Sequence, residues 1–141
     1  MFEEAIGTQL DELMSGVIET YLFDIVKRTI AFAGSIHHTE GNQPFTLRFE
    51  DVAAFYFVQD RGLGRFHQLE LEEWDYIELT MAYYEPAGMG SHHLTTIYKS
   101  SFPSTPNFAV EIWSTTLFIE AGQVIINGTR YAVGFPPQTE A

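Results

Sequence analysis

Apolar and polar positions along the chain follow two different periods. Near the N-terminus, apolar residues recur every three or four positions, which is the spacing of one face of a helix. Thr8 with Asp11 three residues later has the form of a capping box, so this helix is expected to begin near Thr8 and to end near Thr20 or Tyr21. The residues of the predicted apolar stripe are Leu10, Leu13, Met14, Val17 and Ile18.

The rest of the chain alternates with a period of two, which predicts β-strands. The segment 45–58 is one long run of this kind, and its alternation slips at Glu50–Asp51, as a β-bulge would require. Asn127–Gly128 predicts a hairpin with a type I′ turn, because both central residues of that turn need a positive φ. The predicted strands cover about 26–33, 45–58, 74–84, 94–99, 108–114, 117–120, 124–126 and 129–133, with turns at 35–44, 86–90 and Gly122.

These patterns predict one domain over residues 1–141, of the α+β class and mainly β. One N-terminal amphipathic helix is expected to pack on an antiparallel meander sheet of six to eight strands, open or partly curled into a barrel. Residues 1–7 and 135–141 are expected to be loose. Helical patterns do not separate the strands regularly, which argues against a parallel, doubly wound sheet.

Charge and composition narrow the classes of function. The chain has 19 Asp and Glu against 7 Lys and Arg, a net charge of −12, and it has no cysteine. A surface of this charge repels nucleic acid and anionic lipid and attracts basic proteins. The absence of cysteine excludes disulfides, thiolate metal sites and a cysteine nucleophile. No apolar run approaches the ~20 residues of a membrane span, and residues 1–4 are acidic where a secretory signal is basic, so we expect a cytoplasmic protein.

The main candidate site is an acidic segment that also carries aromatic residues. The strand period places Glu72 with Trp74, Tyr76 and Glu78 on one face, and Glu73 with Asp75 on the other. Close carboxylates suit general acid–base chemistry because like charges raise one pKa. The alternatives are a solvated strand edge, whose charges prevent aggregation, and an acidic surface with aromatic anchors for a basic partner. The last alternative fits the net charge better than catalysis does, and its expected contacts are Glu72, Glu73, Trp74, Asp75 and Tyr76.

Histidine and arginine supply two further candidates. His37, His67 and His92 lie in or beside predicted loops, but a metal site needs three or four converging ligands, and their spacing matches no metal motif. Solvated loop histidines are the alternative, and we expect no metal and no cofactor. Arg61 and Arg65 flank a Gly-x-Gly sequence, and they either bind an anionic ligand or belong to a flexible hairpin loop.

Three segments of the chain resemble the small bacterial proteins of the YxiG-like kind. They are FTLRFEDVAAFYFV at 45–58, WDYIELTMAYYE at 74–85 and FAVEIWSTTLFIEAGQVIING at 108–128. The resemblance lies in the order and pattern of the strands, and it assigns no functional residues. Because such proteins are often suspected of being immunity proteins against a contact-delivered toxin, the resemblance implies that role here.

Three functions are compatible with these observations. The first is a non-enzymatic binding protein, most concretely an immunity or inhibitor protein for a basic, nuclease-like bacterial toxin. The second is a small-ligand-binding domain with an aromatic-lined pocket reached by Arg61 or Arg65, and the third is a metal-dependent hydrolase that uses the loop histidines. Because exposed edges of aromatic strands often pair in homodimers, we expect a monomer or a homodimer.

Overall fold

A computed structural model describes residues 2–59, 76–90, 92–95 and 101–137. Within these residues the chain forms one helix followed by nine strands, and strand is the dominant structure. The helix is α1 (Glu3–Asp11), and the strands are β1 (Gly16–Asp24), β2 (Thr29–His38), β3 (Gly41–Gln59), β4 (Ile77–Tyr84), β5 (His92–Thr95), β6 (Ser101–Ser104), β7 (Phe108–Ile112), β8 (Thr115–Ile126) and β9 (Thr129–Ala132).

Seven of the strands form one antiparallel sheet in the order β3-β2-β1-β4-β7-β8-β9. β3 also pairs with β8, so six of these strands form a ring of pairings. β5 and β6 form a separate two-stranded ladder. The predicted class, mainly β with one N-terminal helix and an antiparallel sheet of six to eight strands, is confirmed. No helix in the described part of the chain has the length and apolar character needed to cross a membrane.

The hydrophobic core lies on the inner face of this ring. On β3 the side chains of Phe45, Leu47 and Phe49 alternate inward and are almost completely buried. The ring of Phe49 packs edge-on against Phe108 at 5.0 Å between centroids, and Tyr84 stacks on Phe108 at 4.9 Å. Aromatic side chains therefore fill the inner face at this level of the sheet.

The helix lies earlier in the chain than the sequence pattern predicts. α1 buries Ile6 and Leu10, so residues 3–7, which were expected to be loose, form its first half. Two glutamates in its first turn favour this start, because carboxylates interact favourably with the N-terminal end of a helix dipole. Thr8 does not cap the helix: its hydroxyl donates to the carbonyl of Glu4 at 2.9 Å. The predicted start at Thr8 is therefore wrong.

The second half of the predicted helical stripe belongs to a strand. Ser15 has a positive φ of 64°, which ends the turn after α1, and β1 begins at the next residue. Gly16 and Ile18 then face the core with a period of two. Val17 and Ile18 are β-branched, and such side chains fit a strand better than a helix. The predicted helix end near residue 20 is wrong because Val17 and Ile18, seven and eight positions after Leu10, belong to a strand.

The hairpin between β1 and β2 also differs from the prediction. The predicted strand 26–33 begins only at Thr29, because Asp24 accepts a hydrogen bond from the Lys27 main-chain N–H at 2.9 Å and turns the chain. Arg28 has a positive φ of 56° in this turn. The predicted turn over 35–44 is mostly strand, and only Thr39–Glu40 separates β2 from β3.

The irregularities of the two longest strands coincide. Asp51 has a positive φ of 53°, and the register between β3 and β8 shifts between Val52 and Ala54, so the predicted bulge is confirmed. Gly122 was predicted as a turn but lies inside β8. A Cβ at this position would lie 3.2 Å from the Cβ of Asp51, so the glycine permits a close approach of the two strands.

The β8–β9 hairpin agrees with the prediction. Asn127 and Gly128 have φ values of 49° and 86°, as a type I′ turn requires. The side-chain oxygen of Asn127 also accepts a hydrogen bond from the main-chain N–H of Thr46 at 2.9 Å. This contact ties the hairpin to β3.

One buried amide joins β8 to the segment that follows β9. The side chain of Asn107 is almost completely buried, and it donates to the carbonyls of Ala121 at 2.9 Å and Gly134 at 3.2 Å. Its side-chain oxygen accepts from the Ala121 N–H at 3.0 Å. Pro136, within the tail expected to be loose, is buried. The chain is therefore held against the sheet beyond its last strand.

Candidate functional site

Only part of the predicted contact segment belongs to the described structure. Tyr76 is described, and it lies directly before β4. His92 lies in β5, of which only the backbone is described. The predicted residues outside the described part of the chain are Glu72, Glu73, Trp74, Asp75, Arg61, Arg65 and His67.

Tyr76 lines a groove of about 550 Å³ on the outer face of the sheet. The register of the strands explains why distant residues meet there: Val17 of β1 lies opposite Glu78 of β4 and opposite Ser35 of β2. Val17 is half-buried and so supplies an apolar surface between the polar residues. The groove, called the Tyr76 groove below, is lined by Ser15, Val17, His37, Tyr76 and Glu78.

Trp113 holds the main chain of Tyr76 in place. The indole N–H of Trp113 donates to the Tyr76 carbonyl at 3.2 Å, and the two rings pack at 5.1 Å between centroids. Trp113 lies in the β7–β8 turn and has a positive φ of 53°. Tyr76 is still 44% exposed. Its ring is therefore positioned on one side and accessible on the other.

One carboxylate among the described lining residues, that of Glu78, belongs to the Tyr76 groove. Outside the groove, Glu19 of β1 accepts a short hydrogen bond from the hydroxyl of Ser35, the cross-strand neighbour of Val17. The described residues that line the groove include no lysine and no arginine. An exposed aromatic ring and a carboxylate are two groups that attract cations.

Two of the described arginines are engaged elsewhere on the outer face. Arg48 and Arg130 both pair with Glu50, at 2.8 Å and 2.5 Å. The hydrogen bond from Arg130, assisted by Arg48, holds the pKa of Glu50 below its usual value. Arg130 also donates to the side-chain oxygen of Gln123 at 2.6 Å. This network fixes the outer face next to the bulge of β3, and it leaves both guanidinium groups engaged.

A second concavity, of about 740 Å³, lies between α1 and the β8–β9 hairpin. Its polar lining includes Glu4, Glu12 and Gln9 of the helical segment. Glu4 and Glu12 are eight positions apart, which is about 12 Å along a helix, so they cannot bind one ion together. None of the described residues that line this concavity is aromatic. Its described lining therefore offers negative charge without a ring on which a cation could rest.

The described residues contain no group of three or more His, Cys, Asp or Glu that could hold a metal ion. His37 is exposed and lies in the Tyr76 groove. The metal-site hypothesis requires that His37, His67 and His92 converge on one ion. It stays a hypothesis because His67 and the side chain of His92 lie outside the described part of the structure.

Sequence reasoning placed Tyr76 and Glu78 on one face of a strand, but it did not place Val17 and His37 beside them. Val17 and His37 come from strands far from Tyr76 in the chain, and only the register of β1 with β2 and β4 brings them together. Glu78 carried a signal, because it lies two residues after Tyr76 and so shares its face of a strand. Trp113 carried no signal for its contact with Tyr76.

Comparison with known proteins gives two matches. The family model for YxiG-like proteins matches residues 6–131. The uncharacterized protein YxiG of Bacillus subtilis (strain 168) is 25% identical to the chain over 122 residues, which cover 86% of each of the two chains. The range matched by the family model contains every residue of the Tyr76 groove and Trp113.

Proposed function

The chain belongs to the family of YxiG-like proteins, and from its surface we propose that it is a non-enzymatic binding protein that holds a basic protein in the Tyr76 groove. The observation that carries this proposal is the exposed ring of Tyr76 in the same groove as the carboxylate of Glu78. A binding function requires only this complementarity of shape and charge, with no bond chemistry.

The groove suits an arginine or lysine side chain of the partner. The cation can lie over the ring of Tyr76 while its charge is balanced by Glu78. Val17 then contacts the aliphatic stem of the same side chain, because long cationic side chains bury their methylene groups on apolar surface. One such contact at an exposed site contributes about 0.5–1 kcal/mol, so the partner must use several contacts.

The net charge of −12 acts at longer range. An acidic protein steers a basic partner toward itself and raises the association rate, most strongly at low salt. Nucleases carry basic surfaces because their substrate is a chain of phosphates. A protein of this charge that covers such a surface competes with the nucleic acid. We therefore propose that the partner is a basic, nuclease-like toxin and that the protein acts as its immunity protein in the cytoplasm.

Affinity capture from the bacterium that encodes the chain tests this proposal. The tagged protein should recover a basic partner at 50 mM salt and much less of it at 500 mM. Glu78→Gln and Tyr76→Ala should reduce recovery. Glu85→Gln is the matched control, since it removes one carboxylate at the other end of β4, about 23 Å from Glu78 along the strand.

A second step tests the immunity role. The captured partner should inhibit growth when it is expressed alone, and co-expression of the wild-type chain should restore growth. Recovery of no basic partner at either salt concentration would contradict the binding function. Capture of a basic partner that does not inhibit growth would support the binding function but would contradict the immunity role.

A further inference from the structure

Large apolar side chains are exposed together at one end of the sheet. Ile25 and Val26, in the β1–β2 turn, are 79% and 92% exposed. Exposed aromatic residues from the ends of β1 and β3 lie next to this turn, and Ile25 and Phe55 line the same shallow groove. This surface, called the apolar tip, consists of the exposed residues Tyr21, Ile25, Val26, Phe55 and Phe57 around the half-buried ring of Phe23.

The aromatic rings of the apolar tip are held in place by the core. The ring centroid of Phe23 lies 5.4 Å from that of Phe55, 6.0 Å from Phe57 and 6.2 Å from Tyr21. It also lies 6.2 Å from the buried ring of Phe32, in an edge-on arrangement. The exposed rings therefore continue the packing of the core, and a partner would immobilise few side chains on binding.

The size of the apolar tip is at the upper limit of what a monomer normally exposes. The exposed fractions of Tyr21, Ile25, Val26, Phe55 and Phe57 correspond to on the order of 600 Å² of accessible surface, whereas the largest apolar patch on a typical monomer is about 300–600 Å². A stable interface buries roughly 800 Å² on each partner. The tip alone approaches that area.

Charge indicates which partner covers this surface. We propose that the apolar tip is the interface of a homodimer, in which the same surface of two copies meets around a two-fold axis. Two chains of net charge −12 repel each other, so they can approach only where carboxylates are sparse. Of the described residues that line the groove of the tip, one, Asp24, carries a carboxylate, and the adjacent residues Lys27 and Arg28 are exposed cations. These cations disfavour a basic partner at the same place and offset the local negative charge of Asp24.

The homodimer is independent of the Tyr76 groove, and it has the opposite dependence on salt. Salt weakens the capture of a basic partner, but it screens the repulsion between two acidic copies and leaves the apolar contact intact. Dimerisation should therefore be stronger at 500 mM salt than at 50 mM.

Sedimentation equilibrium of the full chain tests the proposal over 5–200 μM protein. The apparent mass should rise from 16.0 kDa toward twice that value with concentration. Val26→Asp should weaken the dimer by about tenfold or more, because the carboxylate would be desolvated in the interface. Val26 is 92% exposed, so this variant should fold normally. Met14→Asp is the matched control, since Met14 is an exposed apolar residue in the turn between α1 and β1, and it should leave the dimer unchanged.

Three results would overturn the proposal. A wild-type chain that remains at 16.0 kDa at 200 μM in 500 mM salt has no such interface. A dimer that Val26→Asp and Phe57→Glu both leave intact uses another surface. A monomer that floats with neutral phosphatidylcholine vesicles, and loses this property in Val26→Asp, would assign the tip to a lipid surface instead.

Discussion

The indole N–H of Trp113 donates a hydrogen bond to the main-chain carbonyl of Tyr76 at 3.2 Å. This bond joins the β7–β8 turn to the start of β4, two segments 37 residues apart in the chain. The ring contact at 5.1 Å supports the same side of Tyr76. Trp113 thus positions the exposed ring that we propose as the anchor for a basic partner.

Trp113→Phe should weaken the binding of the partner. The variant keeps an aromatic ring beside Tyr76 but loses the hydrogen bond, which is worth about 0.5–1.5 kcal/mol, or roughly a 2- to 12-fold change in Kd. Calorimetric titration of the captured partner measures this change. Tyr83→Phe is the control: the Tyr83 hydroxyl bonds to Met81 and Glu111 on the same face but does not line the groove. Equal affinities of both variants and wild type would contradict the positioning role.

Gly34→Ala should destabilise the sheet beneath the groove. A Cβ on Gly34 would lie 1.8 Å from the carbonyl oxygen of Val17, so β1 or β2 must shift. We expect a loss of about 1–3 kcal/mol in the free energy of unfolding, the usual cost of overpacking. A Cβ on Gly7 in α1 would have no atom within 4 Å. Gly7→Ala should therefore stabilise the protein by about 0.5–1 kcal/mol, because alanine favours a helix more than glycine does. Urea unfolding of both variants measures the difference, and a neutral Gly34→Ala would contradict the close approach.

Asn107→Ala should be strongly destabilising. The change removes the hydrogen bonds of the buried side chain to Ala121 and Gly134, and it leaves the main-chain groups of Ala121 without these partners. Each buried polar group left unpaired costs about 1–3 kcal/mol. Asn42→Ala, at an exposed position in β3, should change the free energy of unfolding by less than about 0.5 kcal/mol. Similar urea midpoints for the two variants would show that the Asn107 bonds contribute little.

Glu50→Gln should reduce the dependence of stability on pH. The hydrogen bond from Arg130 lowers the pKa of Glu50 in the folded state below 4.5, so its stabilisation is present above pH 4.5 and is lost as the pH falls through the lowered pKa. Because Arg48 and Arg130 are about half exposed, the wild type should exceed the variant by less than about 1 kcal/mol at pH 7. The difference should shrink as the pH is lowered from 7 through 4.5 and below. A difference that stays constant over this range would contradict the ion-pair origin.

The fold was predictable where turns and strands have distinct local chemistry. Asn127–Gly128 identified its hairpin, because few sequences satisfy two successive positive φ angles. The slip at Glu50–Asp51 identified the bulge of β3. Local pattern failed at Val17 and Ile18, whose spacing from Leu10 fits a helix although their side chains favour a strand.

The candidate site was less predictable because it depends on register between distant strands. Tyr76 was identified from its acidic and aromatic neighbours in sequence, but Val17 and His37 reach it only through the β1–β4 and β1–β2 pairings. Those pairings depend on which faces are buried in the folded sheet. Gly122 shows the same limit: it resembles a turn locally, and only the approach of Asp51 explains a glycine inside β8.

Nuclear magnetic resonance with a short peptide rich in lysine and arginine tests the central claim most directly, because it needs no natural partner. At 50 mM salt, the main-chain amide shifts on titration should be largest at Val17, Tyr76 and Glu78, and they should decrease in Glu78→Gln but not in Glu85→Gln. Shifts spread evenly over the acidic surface, or concentrated on α1, would contradict recognition by the Tyr76 groove.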